Sequence, residues 1–240
     1  MCRSRETANR VKCASSLRQV GQAMLLYANE NKGAYPRTIY SPGPDPKPVW
    51  GTGFAAKDPF SDVGPQPNDV SAIMFLLMRT QDIGSEIFAC PSSNAEKDLF
   101  GGGTNTAKDR SNFTSIPKNL AYSIHNPYAK DGTIRDRDFW SSARISPDFA
   151  IAADINPGTK GTGNNVTAVR TTSTAAEMKN GNSNNHDRDG QNVLYGDGHV
   201  EFQTNPFVGI ERDNIYVTQA GVLIGSPENE NDSILLPTDD

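Results

Sequence analysis

The sequence has little of what marks a membrane-spanning or nucleic-acid-binding protein. Its longest apolar run is AIMFLLM, from Ala72 to Met78, whereas a spanning helix needs roughly 20 apolar residues. The 240 residues carry a formal net charge of −5, and the few basic residues near the start form no extended patch. Because neutralisation of phosphates supplies much of the affinity for nucleic acids, this charge balance argues against a nucleic-acid partner.

Cysteine is also scarce, and Cys2, Cys13 and Cys90 make an odd number. None of them forms a CxxC pair, so their spacing argues against a zinc cage built of cysteines. Two interpretations remain open. Either all three are free thiols, two of them acting as small buried apolar residues, or Cys13 and Cys90 form a disulfide and Cys2 is left over.

The segment from Ser4 to Asn31 contains no Pro and a single Gly, and it predicts a long amphipathic helix that Gly33 and Pro36 end. Its apolar residues recur at spacings of three and four, which places them on one stripe. The members of this stripe are Val11, Ala14, Leu17, Val20, Met24 and Tyr27.

We divide the chain into this N-terminal helix, residues 1–32, and a globular domain, residues 33–240. Pro and Gly dominate residues 41–68, which predicts a long loop. A second helix follows, capped by Asn68 or Asp69 and reaching about Asp82. The segments NLAYSI and DFAIAAD predict strands. We expect the acidic tail from about residue 226 to be mobile, or docked through Ile234 to Leu236.

The stretch NNHDRDGQNVLYGDGHVEF, from Asn184 to Phe202, carries a hairpin signature. Asp197-Gly198 lies between two alternating runs, which favours a two-residue turn at that position. A turn centred there places four apolar residues on one face and His199 on the opposite face. The apolar four are Val193, Tyr195, Val200 and Phe202.

The loop before this hairpin has features of a metal site and of a catalytic site. Asp187, Asp189 and Asn192 have an oxygen-ligand spacing similar to calcium loops. The full EF-hand pattern is missing, and the alternative is an Asx-type turn in which these side chains bond nearby backbone amides. A hydrolase interpretation groups His186, Asp197 and His199, although no nucleophile elbow motif precedes them.

Three segments resemble prepilin-like proteins of planctomycetes and related bacteria, within the broad group of type IV pilins and type II secretion pseudopilins. RVKCASSLRQVGQAMLLYANENKGAYP resembles the part that follows their membrane helix, and AIMFLLMRTQDIGSEIFACPSS resembles their second block. The hairpin stretch resembles their processing-associated signature, a His followed nine residues later by Asp-Gly. Here ten residues separate His186 from Asp197, a departure that lengthens the loop.

This resemblance implies a pilin-like α+β fold in which the N-terminal amphipathic helix packs on an antiparallel sheet, with long loops. It implies a non-enzymatic subunit on the periplasmic or cell-surface side of the inner membrane, anchored by an apolar segment that we expect upstream of residue 1. Other pilin-like subunits or secretion machinery would contact the N-terminal helix.

The same resemblance bears on the cysteines and on calcium. An envelope setting permits a Cys13–Cys90 disulfide. Major pseudopilins hold calcium in a C-terminal loop, which by analogy makes calcium the candidate cofactor of the loop with Asp187 and Asp189. The alternatives are an extracellular module that binds calcium or a glycan, with Trp50 and Trp140 as an aromatic platform, and the hydrolase.

Overall fold

In the computed structural model, which describes residues 3–135, 138–159 and 165–240, a long helix lies against a five-stranded antiparallel sheet. The predicted α+β class and the long N-terminal helix are therefore confirmed. The sheet order is β4-β3-β2-β1-β5. The strands are β1 Tyr122–His125, β2 Ala150–Asp154, β3 Gln191–Tyr195, β4 Val200–Gln203 and β5 Leu235–Leu236.

The helices are one long, one medium and several short segments. The α-helices are α1 Arg3–Glu30, α2 Ser71–Thr80, α3 Ile116–Asn119, α4 Asn165–Ala168 and α5 Ala175–Met178. Single 3-10 turns span Ser85–Phe88, Ala107–Asp109, Asn185–Arg188 and Ile210–Arg212. No helix among the described residues combines the length and apolarity needed to cross a bilayer.

Helix α1 begins and ends within one residue of the predicted bounds, and it buries one stripe against the rest of the chain. The fully buried apolar members of that stripe include Cys13, Leu17, Val20, Met24 and Ala28. Two members of the predicted stripe differ, since Val11 is 64% exposed and Tyr27 is only partly buried. Val11 lies six residues before Leu17, about 120° around the helix, which turns it to solvent.

The β3–β4 hairpin is shifted by one residue from the predicted register. Leu194 pairs with Val200, and the Tyr195 backbone N–H donates to the His199 carbonyl. The connection therefore has three residues rather than two, and its last residue, Gly198, has φ +89°. Three-residue loops commonly end on such a left-handed position, which glycine adopts without steric cost.

This shift changes which face each side chain occupies, because side chains alternate along a strand. Val200 packs with Leu194 on the α1 side, and Phe202 lies beneath Arg10 of α1. Val193 and Tyr195 pack on the other side of the sheet. The predicted single apolar face was therefore wrong, and both faces of β3 are buried.

The sheet separates two apolar layers. Helices α1 and α2 cover one face. The N-cap position of α2 is Val70, and the Asp69 carboxylate before it accepts the Ala72 N–H at 3.0 Å. The C-terminal part of the chain covers the other face, where Ile215, Tyr216 and Val217 pack with Val193. The layers place α1 directly over β3 and β4, where the candidate site lies.

The end of the chain is ordered rather than mobile, which corrects the expectation of a mobile tail from about residue 226. Ile234 is fully buried, and Leu235 and Leu236 pair with β1 as an edge strand. The Asp232 carboxylate accepts backbone N–H groups of Gln219 and Glu228. Docking through Ile234 to Leu236, the other expectation for this segment, is what the structure shows.

Two buried carboxyls make the stability of this C-terminal layer depend on pH. Burial, and then the charge of Asp232, raise the pKa of Asp213 from 3.8 to about 8. Burial raises the pKa of Asp232 to about 6. A carboxyl whose pKa is higher in the folded than in the unfolded chain binds its proton more tightly when folded. The stabilisation that such a carboxyl gives the folded chain is therefore present at low pH, and it is lost as the pH rises through the pKa of the folded state.

We expect the free energy of unfolding to fall as the pH rises from about 4 to about 8. Asp213→Asn should flatten this decline and raise the free energy of unfolding at pH 8 by about 1–3 kcal/mol. Urea unfolding at a series of pH values measures both effects. Asp62→Asn, at an exposed aspartate, is the control and should retain the wild-type profile. A wild-type profile in Asp213→Asn would contradict the prediction.

Candidate functional site

The site lies under the first half of α1, where four chain segments meet. Cys13 of α1 forms a disulfide with Cys90, and the two Cα atoms are 5.5 Å apart. Asp154 ends β2, and His186 comes from the turn before β3. The side chains of these four residues are buried, and one ligand-type atom from each lies within 4.8 Å of the other three. Residues 32 to 173 positions apart in the sequence thus form one cluster.

His186 lies between two carboxylates. Its Nδ1 is 2.6 Å from Glu6 Oε1, and its Nε2 is 3.2 Å from Asp154 Oδ2. Burial disfavours the charged ring, but hydrogen bonds and charges of Asp154 and Glu6 outweigh burial and raise the pKa of His186. Cys90 Sγ lies 3.7 Å from the same Nε2. The raised pKa favours the doubly protonated ring, and both ring nitrogens face a carboxylate beside the disulfide.

Both carboxylates have further donors that hold them in place. The Asn192 backbone N–H donates to Asp154 Oδ2 at 2.6 Å, and the Asn185 amide donates to Oδ1 at 3.1 Å. The Ser92 hydroxyl donates to Glu6 Oε2 at 2.8 Å. Although burial opposes it, the hydrogen bonds from Ser92 and His186 lower the pKa of Glu6. The lowered pKa favours the anionic form of Glu6, opposite the His186 ring.

An unusual turn delivers His186 to this position. His186, Asp187 and Arg188 have φ values of +59°, +57° and +59°. Side chains disfavour this left-handed region by roughly 1–2 kcal/mol per residue. Two residues later, a Cβ on Gly190 would lie 2.2 Å from the Gln203 carbonyl oxygen, so only glycine fits there. The contacts of His186 with Glu6 and Asp154 offset the cost of the turn.

The structure gives the residues of the predicted calcium site other partners. Asp189 contacts Arg10 at 2.8 Å and Lys179 at 2.7 Å, so its charge is already balanced by two side-chain cations. The Asn192 amide is buried and donates to Asp154, whereas Asp187 is exposed. This arrangement disfavours calcium binding by these three residues. The loop before β3 instead fastens to α1 through Asp189.

The grouping of His186 with Asp197 and His199 is also not formed. His199 is exposed, contacts Asp197 in the hairpin loop and stacks on Tyr195 with ring centroids 4.6 Å apart. His186 is buried before the opposite end of β3. Trp140 does not form the aromatic platform of the glycan-binding alternative, because its ring is buried and its indole N–H donates to the Pro36 carbonyl.

Sequence reasoning missed Glu6 and Asp154, although each carried a signal. Glu6 lies seven residues before Cys13, which is two helical turns on the same face of α1. Asp154 closes a strand whose other residues are all apolar and buried. A charged residue in either position requires a buried partner. The missing information was which partner, because His186 reaches them only through the left-handed turn.

Comparison with known proteins identifies no relative of the chain. No family model matches the chain, and neither a curated protein nor a solved structure matches it.

The buried and exposed histidine–carboxylate pairs provide a matched test of the cluster. Glu6→Gln removes the carboxylate that contacts the buried His186 ring, and we expect the free energy of unfolding to fall by about 2–3 kcal/mol. Asp197→Asn makes the same chemical change at the exposed pair and should leave the free energy of unfolding unchanged, because solvent screens that pair. Urea unfolding at neutral pH compares the two. Equal effects of the two changes would show that the buried cluster does not hold α1 on the sheet.

Proposed function

We propose that the chain is a non-enzymatic structural subunit of a pilin-like or pseudopilin-like assembly in the cell envelope. The observation that carries this proposal is the attachment of α1 to the rest of the domain by covalent, ionic and apolar contacts together. A subunit that assembles through one helix needs that helix to move as one body with its own domain. This arrangement meets that need, and it agrees with the resemblance of the three sequence segments to prepilin-like proteins.

The fastening is concentrated within two turns of α1. Glu6 contacts His186, Arg10 contacts Asp189 at 2.8 Å, and Cys13 is bonded to Cys90. The Arg10 guanidinium also lies 4.3 Å from the centroid of the Phe202 ring, a favourable cation–π position. Spacings of four and three keep these residues on one helix face. A force applied to the start of α1 would therefore be transmitted to the rest of the domain, because these contacts keep the helix from separating from it.

The opposite side of α1 offers a surface for a neighbouring subunit. Val11, Leu25 and Leu26 are 64%, 42% and 55% exposed. Leu25 and Leu26 lie 14 and 15 residues after Val11, which is about four helical turns. The two leucines therefore lie on the same side of α1 as Val11, away from the buried stripe. Exposed apolar side chains along a helix suit packing against another helix. We infer that this outer face contacts the next copy or another pilin-like subunit.

The buried cluster suits a structural role as well. Cys13, Asp154 and His186 are fully buried, and Glu6 is 6% exposed. Each charged group has a charged partner within the protein, as buried charges require. This chemistry stabilises one placement of α1 on the sheet. The proposed role uses that placement and requires no exchange with solvent.

The test compares two apolar-to-charged substitutions in cells that naturally encode the chain. Leu26→Arg places a charge on the outer face of α1. Leu99→Arg makes the same change at a loop residue that is 62% exposed. Both positions are solvent-exposed, so folding should tolerate both changes. We expect chemical cross-linking of the envelope fraction to give a ladder of multimers for the wild type and Leu99→Arg, and a ladder several-fold weaker for Leu26→Arg.

Two outcomes would contradict the proposal. A wild-type protein recovered from cells only as a monomer, with no cross-linked species, would show that it is not an assembly subunit. Equal ladders for the wild type and both variants would show that the outer face of α1 is not the contact. Thermal unfolding of the purified variants verifies that any loss of the ladder does not come from loss of the fold.

A further inference from the structure

We propose that reduction of the Cys13–Cys90 disulfide creates a buried site for one zinc-class divalent cation, bound by the two cysteine thiolates, His186 and Asp154. The site does not depend on the proposed structural role. It rests on the position of four donor groups around one point under α1. Sequence spacing does not reveal it, because the two cysteines lie 77 residues apart and belong to no paired motif.

The four donors match the chemistry of structural zinc. Zinc takes cysteine sulfur, imidazole nitrogen and carboxylate oxygen, and in structural sites it is almost always four-coordinate. Metal–ligand bonds of about 2.0–2.3 Å in a tetrahedron separate the ligand atoms by roughly 3.3–3.8 Å. His186 Nε2 already lies 3.7 Å from Cys90 Sγ and 3.2 Å from Asp154 Oδ2. All four donor atoms lie within 4.8 Å of one another.

The surrounding groups orient these donors without any metal. The Nδ1 atom of His186 is 2.6 Å from Glu6, so the ring directs Nε2 toward the cysteines. Metal-binding histidines commonly donate their other N–H to a carboxylate in this way. The Asn192 backbone N–H and the Asn185 amide fix the two oxygens of Asp154. Only the two sulfur atoms must move apart, by on the order of 1–2 Å.

The reaction needs a reductant, and we assign that role to a dithiol. The dithiol transfers two electrons and two protons to the disulfide, the S–S bond breaks, and the dithiol becomes a disulfide itself. Binding of the cation then releases the two thiol protons to solvent, together with the Nε2 proton of His186 where the ring is charged. The products are two thiolates, a neutral imidazole and a carboxylate around one metal ion, with Glu6 still accepting the Nδ1 proton.

One set of residues would then hold α1 in both redox states. In the oxidised chain, the disulfide links α1 to the segment after the Ser85–Phe88 turn. In the reduced chain, the metal would link the same two cysteines. Through Asp154 and His186 it would also link α1 to β2 and to the turn before β3. Because unfolded chains rarely present a formed site, metal binding energy adds to folding stability. Zinc should therefore stabilise the reduced chain and leave the oxidised chain unaffected.

The test uses the purified chain with Cys2→Ser, which removes the third thiol, and compares it with the wild type. After reduction by a phosphine under anaerobic conditions, the chain is titrated with cobalt(II) and then with zinc. We expect one cobalt per chain, with a thiolate-to-cobalt charge-transfer band and the visible bands of tetrahedral cobalt, and loss of these bands when zinc is added. The oxidised chain should show none of these bands.

Substitutions separate the ligands from the residue that orients them. His186→Gln and Asp154→Asn should each weaken cobalt binding and change the visible bands. Glu6→Gln, at a positioning residue, should weaken binding by roughly 10–100-fold while keeping the band shape. His199→Gln and Asp197→Asn, at the exposed pair, are matched controls that should bind cobalt like the parent. Circular dichroism of each oxidised variant establishes that it folds before it is reduced.

Three results would overturn the proposal. One is a reduced chain that stays folded and shows no charge-transfer band. Another is cobalt binding that is equally tight, with unchanged bands, in His186→Gln. If the reduced chain unfolds without metal, addition of zinc should restore its helical signal and raise its melting temperature, and failure to restore them would also overturn the proposal.

Discussion

The buried His186, held between the carboxylates of Glu6 and Asp154, fixes how α1 lies on the sheet. A charge removed from water is strongly unfavourable unless it is paired, and removing one partner of a buried pair costs about 3–5 kcal/mol. Glu6, His186 and Asp154 come from α1, the turn before β3 and the end of β2, so all three elements must meet at once. A slip of α1 by one turn, about 5.4 Å, would separate Glu6 from the ring. The cluster therefore selects one register of the helix, whereas apolar packing alone would tolerate several.

The disulfide and the cluster restrict different degrees of freedom. The Cys13–Cys90 bond closes a loop with a sequence separation of 77, and limiting the unfolded chain in this way stabilises the fold by about 4–5 kcal/mol in the loop-entropy model. A single bond still permits rotation of α1 about it. The Arg10–Asp189 ion pair lies about one turn from Cys13 and the Glu6–His186 contact about two turns from it, and both oppose that rotation. Phe202 beneath Arg10 extends the same contact to β4, which requires the observed hairpin register.

The sequence predicts those elements whose signal is local. The apolar repeat of α1, the hydrogen bond of Asp69 at the start of α2 and the strands predicted in NLAYSI and DFAIAAD depend on neighbours within a few residues. The structure has each of them, with shorter strands and with Val11 exposed. The predicted register of the hairpin was wrong because the loop has three residues, Gly196 to Gly198, instead of two. The alternation of apolar and polar residues does not decide this loop length. The expectation of a mobile tail was wrong because Leu235 and Leu236 pair with β1, which lies more than a hundred residues earlier in the sequence. The cluster required distant partners and a left-handed turn at His186, and neither has a reliable local pattern.

The two halves of α1 therefore differ in what holds them. From Glu6 to Cys13, ionic, covalent and cation–π contacts fix the helix to the turn before β3, to β4 and to the segment with Cys90. From Leu17 onward, the contacts with the core are apolar, and Gly21 allows close approach because a Cβ there would lie 2.9 Å from Leu194. Apolar packing follows the buried area and is less selective for orientation than a paired charge. The second half of α1, which exposes Leu25 and Leu26, is thus held less selectively than the first half, where paired charges and the disulfide fix its orientation.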